Sequence, residues 1–215
     1  GSVISAGSKG REYFDTAGRR HQYPVETEKQ EMLNALNEAL DALLRRPGYD
    51  IFTLVGSGLQ HKFGQTTIAH QDISGSVPAR QSERLRTGVD DLVRSLDPAG
   101  SFFRIEDTGL DLEIILTVTD ESRGIARDFD KGDGVRFLNE DLGLDMRHRI
   151  CLVCGDTGSD VPMLAASLEL APEVHSVFVT RSDHLRQQVQ DVLPEALFVT
   201  EPDTLVAMLD CLSRA

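Results

Sequence analysis

The chain has 215 residues, with 22 Lys and Arg against 35 Asp and Glu, giving a formal net charge of -13. That charge repels nucleic-acid backbones and argues against a nucleic-acid partner, whereas a small anionic substrate stays open because a bound divalent cation can reverse the potential locally. Hydrophobic residues make up 40% and charged residues 27%, an ordinary globular balance, and no window approaches the roughly 18 apolar residues of a membrane span, so no membrane partner is expected.

In chain order, Val3-Ile4-Ser5-Ala6 is a short apolar opening after Gly1-Ser2, a pair typical of a cleaved tag. Gly7-Ser8-Lys9-Gly10 reads as a turn, Arg11 to Phe14 and Arg19 to Tyr23 as a hairpin around Asp15-Thr16-Ala17-Gly18, and Pro24 as its end. From Thr27, Met32, Leu33, Leu36, Leu40, Leu43 and Leu44 recur at helical spacing up to Pro47-Gly48. Ile51 to Val55 is an apolar run, followed by Gly56-Ser57-Gly58 and by a strand over His61 to His70. A second helix spans Arg80 to Leu96, strands span Phe102 to Ile105 and Leu110 to Val118, and Asp120 to Arg127 is a connection.

Beyond Lys131 strands alternate with helices. The helices cover Gly134 to Leu142, Val161 to Leu168, His184 to Val192 and Pro202 to Leu212; the strands cover Ile150 to Cys154, Ser176 to Val179 and Leu197 to Val199. Such alternation predicts a parallel sheet with right-handed crossovers. The fold class expected is therefore α/β: part of a Rossmann-like parallel-sheet core (1–24 and 121–215), interrupted by an α+β unit over 25–120.

Cys151, Cys154 and Cys211 cannot form a fully paired disulfide framework, and a reducing cytoplasmic setting fits them best. Cys151 and Cys154 lie in an apolar strand, where side chains three apart face opposite ways, so two buried thiols are expected rather than a redox or metal pair.

Two segments carry chemistry. In Val153-Cys154-Gly155-Asp156-Thr157-Gly158-Ser159-Asp160, an apolar strand runs into a glycine and two carboxylates four apart, followed by a helix. Ligands of open α/β sheets collect at such strand ends. Asp156 there suits Mg²⁺, which takes one or two carboxylates with waters and substrate phosphate; the plain alternative is a turn residue at 156 and a helix cap at 160. The other segment is Asp128-Phe129-Asp130-Lys131-Gly132-Asp133-Gly134, with Lys131 standing 25 residues ahead of Asp156. An ammonium placed there could neutralise a phosphate beside a metal carboxylate.

These two segments resemble the third and fourth motifs of haloacid dehalogenase-type phosphatases with a large cap between the second and third motifs, and the opening residues 3–19 resemble the lead into that cap. Within this superfamily the chain is most similar to trehalose-6-phosphate phosphatases, notably their nematode branch. The resemblance implies a magnesium-dependent phosphatase in which Lys131, Asp156 and Asp160 are catalytic, Asp156 holds Mg²⁺, and the cap residues Lys62, His70 and Glu113 contact the sugar. Gln60 stands where the family often carries an acidic residue, so sucrose 6-phosphate and mannosyl-3-phosphoglycerate remain alternative substrates, and a non-catalytic binding module remains an alternative role. The family's nucleophile motif, aspartate-x-aspartate after an apolar strand, is not found; Asp128-Phe129-Asp130 follows a polar segment and overlaps the lysine motif. An upstream segment of the same protein is expected to supply the nucleophile, leaving this chain inactive alone.

Overall fold

The computed structural model describes residues 3–120 and 125–214, and the chain divides into two compact units, Gly1–Phe129 and Asp130–Ala215.

In the first unit, β1 (Ser5–Gly7), β2 (Glu12–Phe14) and β3 (Arg20–Gln22) form an antiparallel sheet in the order β1-β2-β3. Then follow α1 (Thr27–Leu44), β4 (Leu59–Lys62), β5 (Gln65–Ala69), α2 (Ala79–Leu96), β6 (Phe103–Asp107), β7 (Asp111–Asp120) and β8 (Ile125–Asp128). Strands β4-β5-β7-β6 form a second antiparallel sheet, and β8 pairs with β7. The single strand expected over His61 to His70 is a hairpin instead: Gly64 takes φ +70°, which permits the tight reversal between β4 and β5. The apolar run Ile51–Val55 is a 3₁₀ turn over Asp50–Thr53 that buries Phe52. Of the connection read over Asp120 to Arg127, Ile125 onward belongs to β8, and 121–124 lie outside the described residues.

Strand alternation gives the second sheet two unlike faces. Ile68, Leu112, Ile114, Leu116 and Phe103 pack with Leu33, Leu36, Leu40, Leu85 and Val89 of α1 and α2 into the core. The opposite face carries Lys62, Thr67, Glu113 and Glu106, with Thr67 and Glu106 both paired in register to Glu113. Arg11 of the hairpin layer is 2% exposed. Its guanidinium donates to the carbonyls of Gly64 (2.8 Å) and Leu116 (2.5 Å) and lies 4.4 Å from the Phe129 ring centre. Replacing Arg11 with Met removes two charge-assisted bonds at a buried site, and urea unfolding is expected to show a loss of about 3 kcal/mol.

The second unit comprises α3 (Lys131–Asp141), β9 (Ile150–Gly155), α4 (Val161–Leu170), β10 (Glu173–Val179), α5 (Asp183–Val192), β11 (Leu197–Val199) and α6 (Pro202–Ser213). Its sheet is parallel, in the order β11-β10-β9, as the strand–helix alternation predicts. Val153, Val174 and Phe178 pack against Leu164, Leu185 and Val189 of α4 and α5. Among the described residues no strand pairs with the outer edge of β9, and Ile150 and Leu152 are 67% and 41% exposed. The thiols of Cys151 and Cys154 are half-buried and unpaired rather than fully enclosed, because this sheet is not covered completely.

Candidate active site

At the carboxyl end of β9 the chain turns through Gly155 and Asp156 into a 3₁₀ turn, Gly158–Asp160, and then α4, whose first turn carries Pro162. Thr157 caps this turn, and Asp160 reaches back to the Thr157 backbone, a reciprocal capping box. Asp160 is therefore not itself the cap of α4, where its side chain makes no capping bond, but the third-position partner of the Thr157 cap, and its other oxygen is engaged elsewhere. Oδ2 accepts from the backbone N–H of Asp156 (3.0 Å) and Thr157 (3.1 Å) and from the Thr157 hydroxyl (3.1 Å), while Oδ1 accepts from Lys131 Nζ.

Lys131 opens α3. The helix starts there rather than at Gly134 because Asp130 and Asp133 form a second capping box, each side chain accepting from the other's backbone N–H. Asp130 is thus committed to a helix start. A cation in the first turn of a helix opposes the helix dipole, and the Asp160 carboxylate offsets this. Asp160 is 4% exposed. Burial pushes its carboxyl up, but the Lys131 ammonium and the N–H groups of Asp156 and Thr157 outweigh burial and hold it below the usual carboxylate range.

Two glycines allow this approach. A β-carbon on Gly155 would lie 2.6 Å from Asp160 Cβ and 2.8 Å from the Phe178 ring; one on Gly132 would lie 2.6 Å from the Pro162 carbonyl oxygen. Gly155→Ala therefore has to displace either Asp160 or Phe178. A thermal melt is expected to report a loss of about 3 kcal/mol, at the upper end of overpacking costs, because a β-carbon cannot swing aside.

Asp156 is exposed beside this pair, and its carboxylate makes no hydrogen bond or ion pair among the described residues. Lys131, Asp156 and Asp160 are thus brought together. No group of three or more His, Cys, Asp or Glu gathers for a metal among the described residues. Asp156 still fits a magnesium site by its chemistry, as one unengaged hard-oxygen donor on the residue whose backbone N–H binds the carboxylate that holds Lys131.

In the first unit the structure brings together Lys62 and Glu113 but not His70. Lys62 Nζ donates to Thr67 Oγ1 (3.1 Å), and Thr67 is the in-register partner of Glu113 on that sheet face. His70 is 4% exposed on the helix side, with Nδ1 2.7 Å from the Ser82 hydroxyl of α2 and Nε2 3.1 Å from Asp107 Oδ1. Both ring nitrogens are engaged, so His70 would have to release a partner to meet a sugar hydroxyl. Thr157, which completes the Asp160 cradle, escaped the sequence reading, although its spacing of three from Asp160 carries the capping-box signature.

The family model for trehalose-6-phosphate phosphatase, C-terminal, matches residues 1–205. A trehalose-phosphate synthase of Aphelenchoides avenae is 38% identical over 206 residues, covering 93% of this chain and 17% of that protein. A trehalose-phosphatase of Caenorhabditis elegans is 32% identical over 210 residues, covering 94% of this chain and 46% of its own length. The chain thus spans less than half of each of these relatives. A solved trehalose-6-phosphate phosphatase of Aspergillus fumigatus aligns with a TM-score of 0.46 at 14% identity, covering 98% of this chain and 69% of the other.

Proposed function

Since the chain belongs to the family of trehalose-6-phosphate phosphatase C-terminal domains, we propose that it carries the cap and the C-terminal half of the catalytic core of a magnesium-dependent phosphatase acting on trehalose 6-phosphate. The observation that carries this reading is the cluster at the end of β9: Asp156, with an unengaged carboxylate, bonds through its backbone N–H to the Asp160 of the Lys131–Asp160 pair.

In this reading Asp156 would hold Mg²⁺, which would supply positive charge against the phosphate oxygens. Lys131 supplies a second positive charge at the helix start, and Asp160, fixed by Thr157, keeps its ammonium in place. The nucleophile is an aspartate of a preceding segment. Its carboxylate attacks phosphorus, the bond to the sugar oxygen breaks, and water then hydrolyses the aspartyl-phosphate. Two features support such a segment: among the described residues no strand pairs with the outer edge of β9, and an apolar groove of about 960 Å³ is lined in part by Ile150, Leu152, Leu197 and Met208, whereas parallel sheets are normally covered on both faces. The isolated 215-residue chain is inactive in this account. Residues 25–120 act as the specificity cap, with Lys62 and Glu113 contacting the sugar and His70 bracing the end of β5 against α2 unless substrate draws it out.

No described helix is long and apolar enough to cross a membrane; we place the enzyme in the cytoplasm on the cysteine usage alone. Turnover of trehalose 6-phosphate, sucrose 6-phosphate and mannosyl-3-phosphoglycerate by the gene's full-length product tests the substrate. Trehalose 6-phosphate is expected to give the highest kcat/KM, and a clear preference for another sugar phosphate would overturn the assignment.

A further inference from the structure

Glu106 and Glu113 stand directly opposite each other on β6 and β7, a spacing of about 5 Å between β-carbons at which like charges repel. The cation that meets them comes from the hairpin layer of the same unit. Lys9 Nζ lies 3.5 Å from Glu106 Oε2 and 3.4 Å from Glu113 Oε2, with the lysine side chain 18% exposed. Lys9 reaches this place from a backbone that L-residues seldom adopt, since Ser8 and Lys9 have φ of 53° and 61°. The Ser8 hydroxyl, bonded to Glu12 Oε1 at 2.9 Å, ties the turn down. Lys9 takes one oxygen of Glu113 and leaves Oε1 without a partner among the described residues. A carboxylate held by one oxygen and open at the other is arranged to accept a bond from a hydroxyl.

We propose that Lys9 is the positioning residue for Glu113 in sugar recognition, cancelling its repulsion from Glu106 and aiming its free oxygen. This rests on the reading of Glu113 as a sugar contact given above. Lys9 itself touches no reacting atom. Without its charge, the two glutamates swing apart and Glu113 leaves the position from which it meets the sugar.

The test is steady-state kinetics of the full-length product with trehalose 6-phosphate, comparing Lys9→Met, Glu106→Gln and the double variant; methionine keeps the apolar stem of the side chain and removes its charge. Lys9→Met is expected to raise KM about tenfold with kcat little changed, and Glu106→Gln on that background to bring KM most of the way back. A lysine that merely stabilises the fold gives no such recovery. An unchanged KM in Lys9→Met, a parallel fall of kcat, or no recovery in the double variant overturns the inference. If the unmodified protein releases no phosphate from trehalose 6-phosphate, the functional reading fails and takes this inference with it, whereas an active unmodified protein whose KM ignores Lys9→Met overturns the inference alone.

Discussion

Replacing Asp156 with alanine in the full-length protein is expected to lower phosphate release by at least about 10³-fold, the scale on which a pre-organised charge partner acts in a catalytic site. Of the two carboxylates at the end of β9, Asp160 has both oxygens occupied, by Lys131 on one side and by Asp156 N–H and Thr157 on the other. Of these two only Asp156 retains free oxygens among the described residues, so a cation that binds this pair of aspartates turns to Asp156. Asp156→Ala should leave stability nearly unchanged, because the side chain is exposed and makes no contact that the fold needs. Activity measured against Mg²⁺ concentration, with an unfolding curve on the same sample, separates a lost site from a lost fold; near-wild-type turnover in the variant would remove Asp156 from the mechanism.

Asp160→Ala is expected to act on both stability and activity. It strips Lys131 of its partner in the first turn of α3 and leaves the N–H groups of Asp156 and Thr157 unmatched. Breaking a buried pair costs about 3–5 kcal/mol, and the lower figure applies because the Lys131 side chain is 34% exposed. The effect should depend on pH with a definite sign. Asp160 titrates below its ordinary value in the folded protein, so its contribution is complete above the unfolded carboxylate value near 3.9 and disappears as pH falls through the depressed folded value. Urea unfolding at pH 7 should therefore show the full gap between wild type and variant, and at about pH 3 a smaller one. A gap that stays constant or widens in acid would contradict the assigned role.

Much of this molecule is legible in its sequence because local signals and the fold agree. The alternation after Lys131 gives the parallel sheet, and the glycine followed by two aspartates four apart marks the turn from β9 into α4 where the Lys131–Asp160 pair forms. The same passage also hides its details. Whether Lys131 precedes α3 or begins it depends on the Asp130–Asp133 capping box, and the strong signal of Gly132 and Gly134 as helix breakers conceals that box. The β4–β5 hairpin escapes notice because its turn has one glycine, Gly64, flanked by residues that suit a strand. Side-chain direction in the antiparallel sheet is harder still. Lys62 and Glu113 share a face only through the β4-β5-β7 register, and a shift by one residue would reverse them. His70 turns to the helix side for the same reason, and no property of His70-Gln71-Asp72 announces its bonds to Ser82 and Asp107. The meeting of Lys9 with Glu106 and Glu113 spans about a hundred residues, beyond any periodic pattern.

We propose that this chain forms part of a magnesium-dependent phosphatase for trehalose 6-phosphate and needs a preceding segment for chemistry. The most direct test is phosphate release from trehalose 6-phosphate, with and without Mg²⁺, by this 215-residue chain and by the gene's full-length product. Release by the full-length protein alone, and only with Mg²⁺, is the predicted result; release by the isolated chain, or none from either protein, would contradict it.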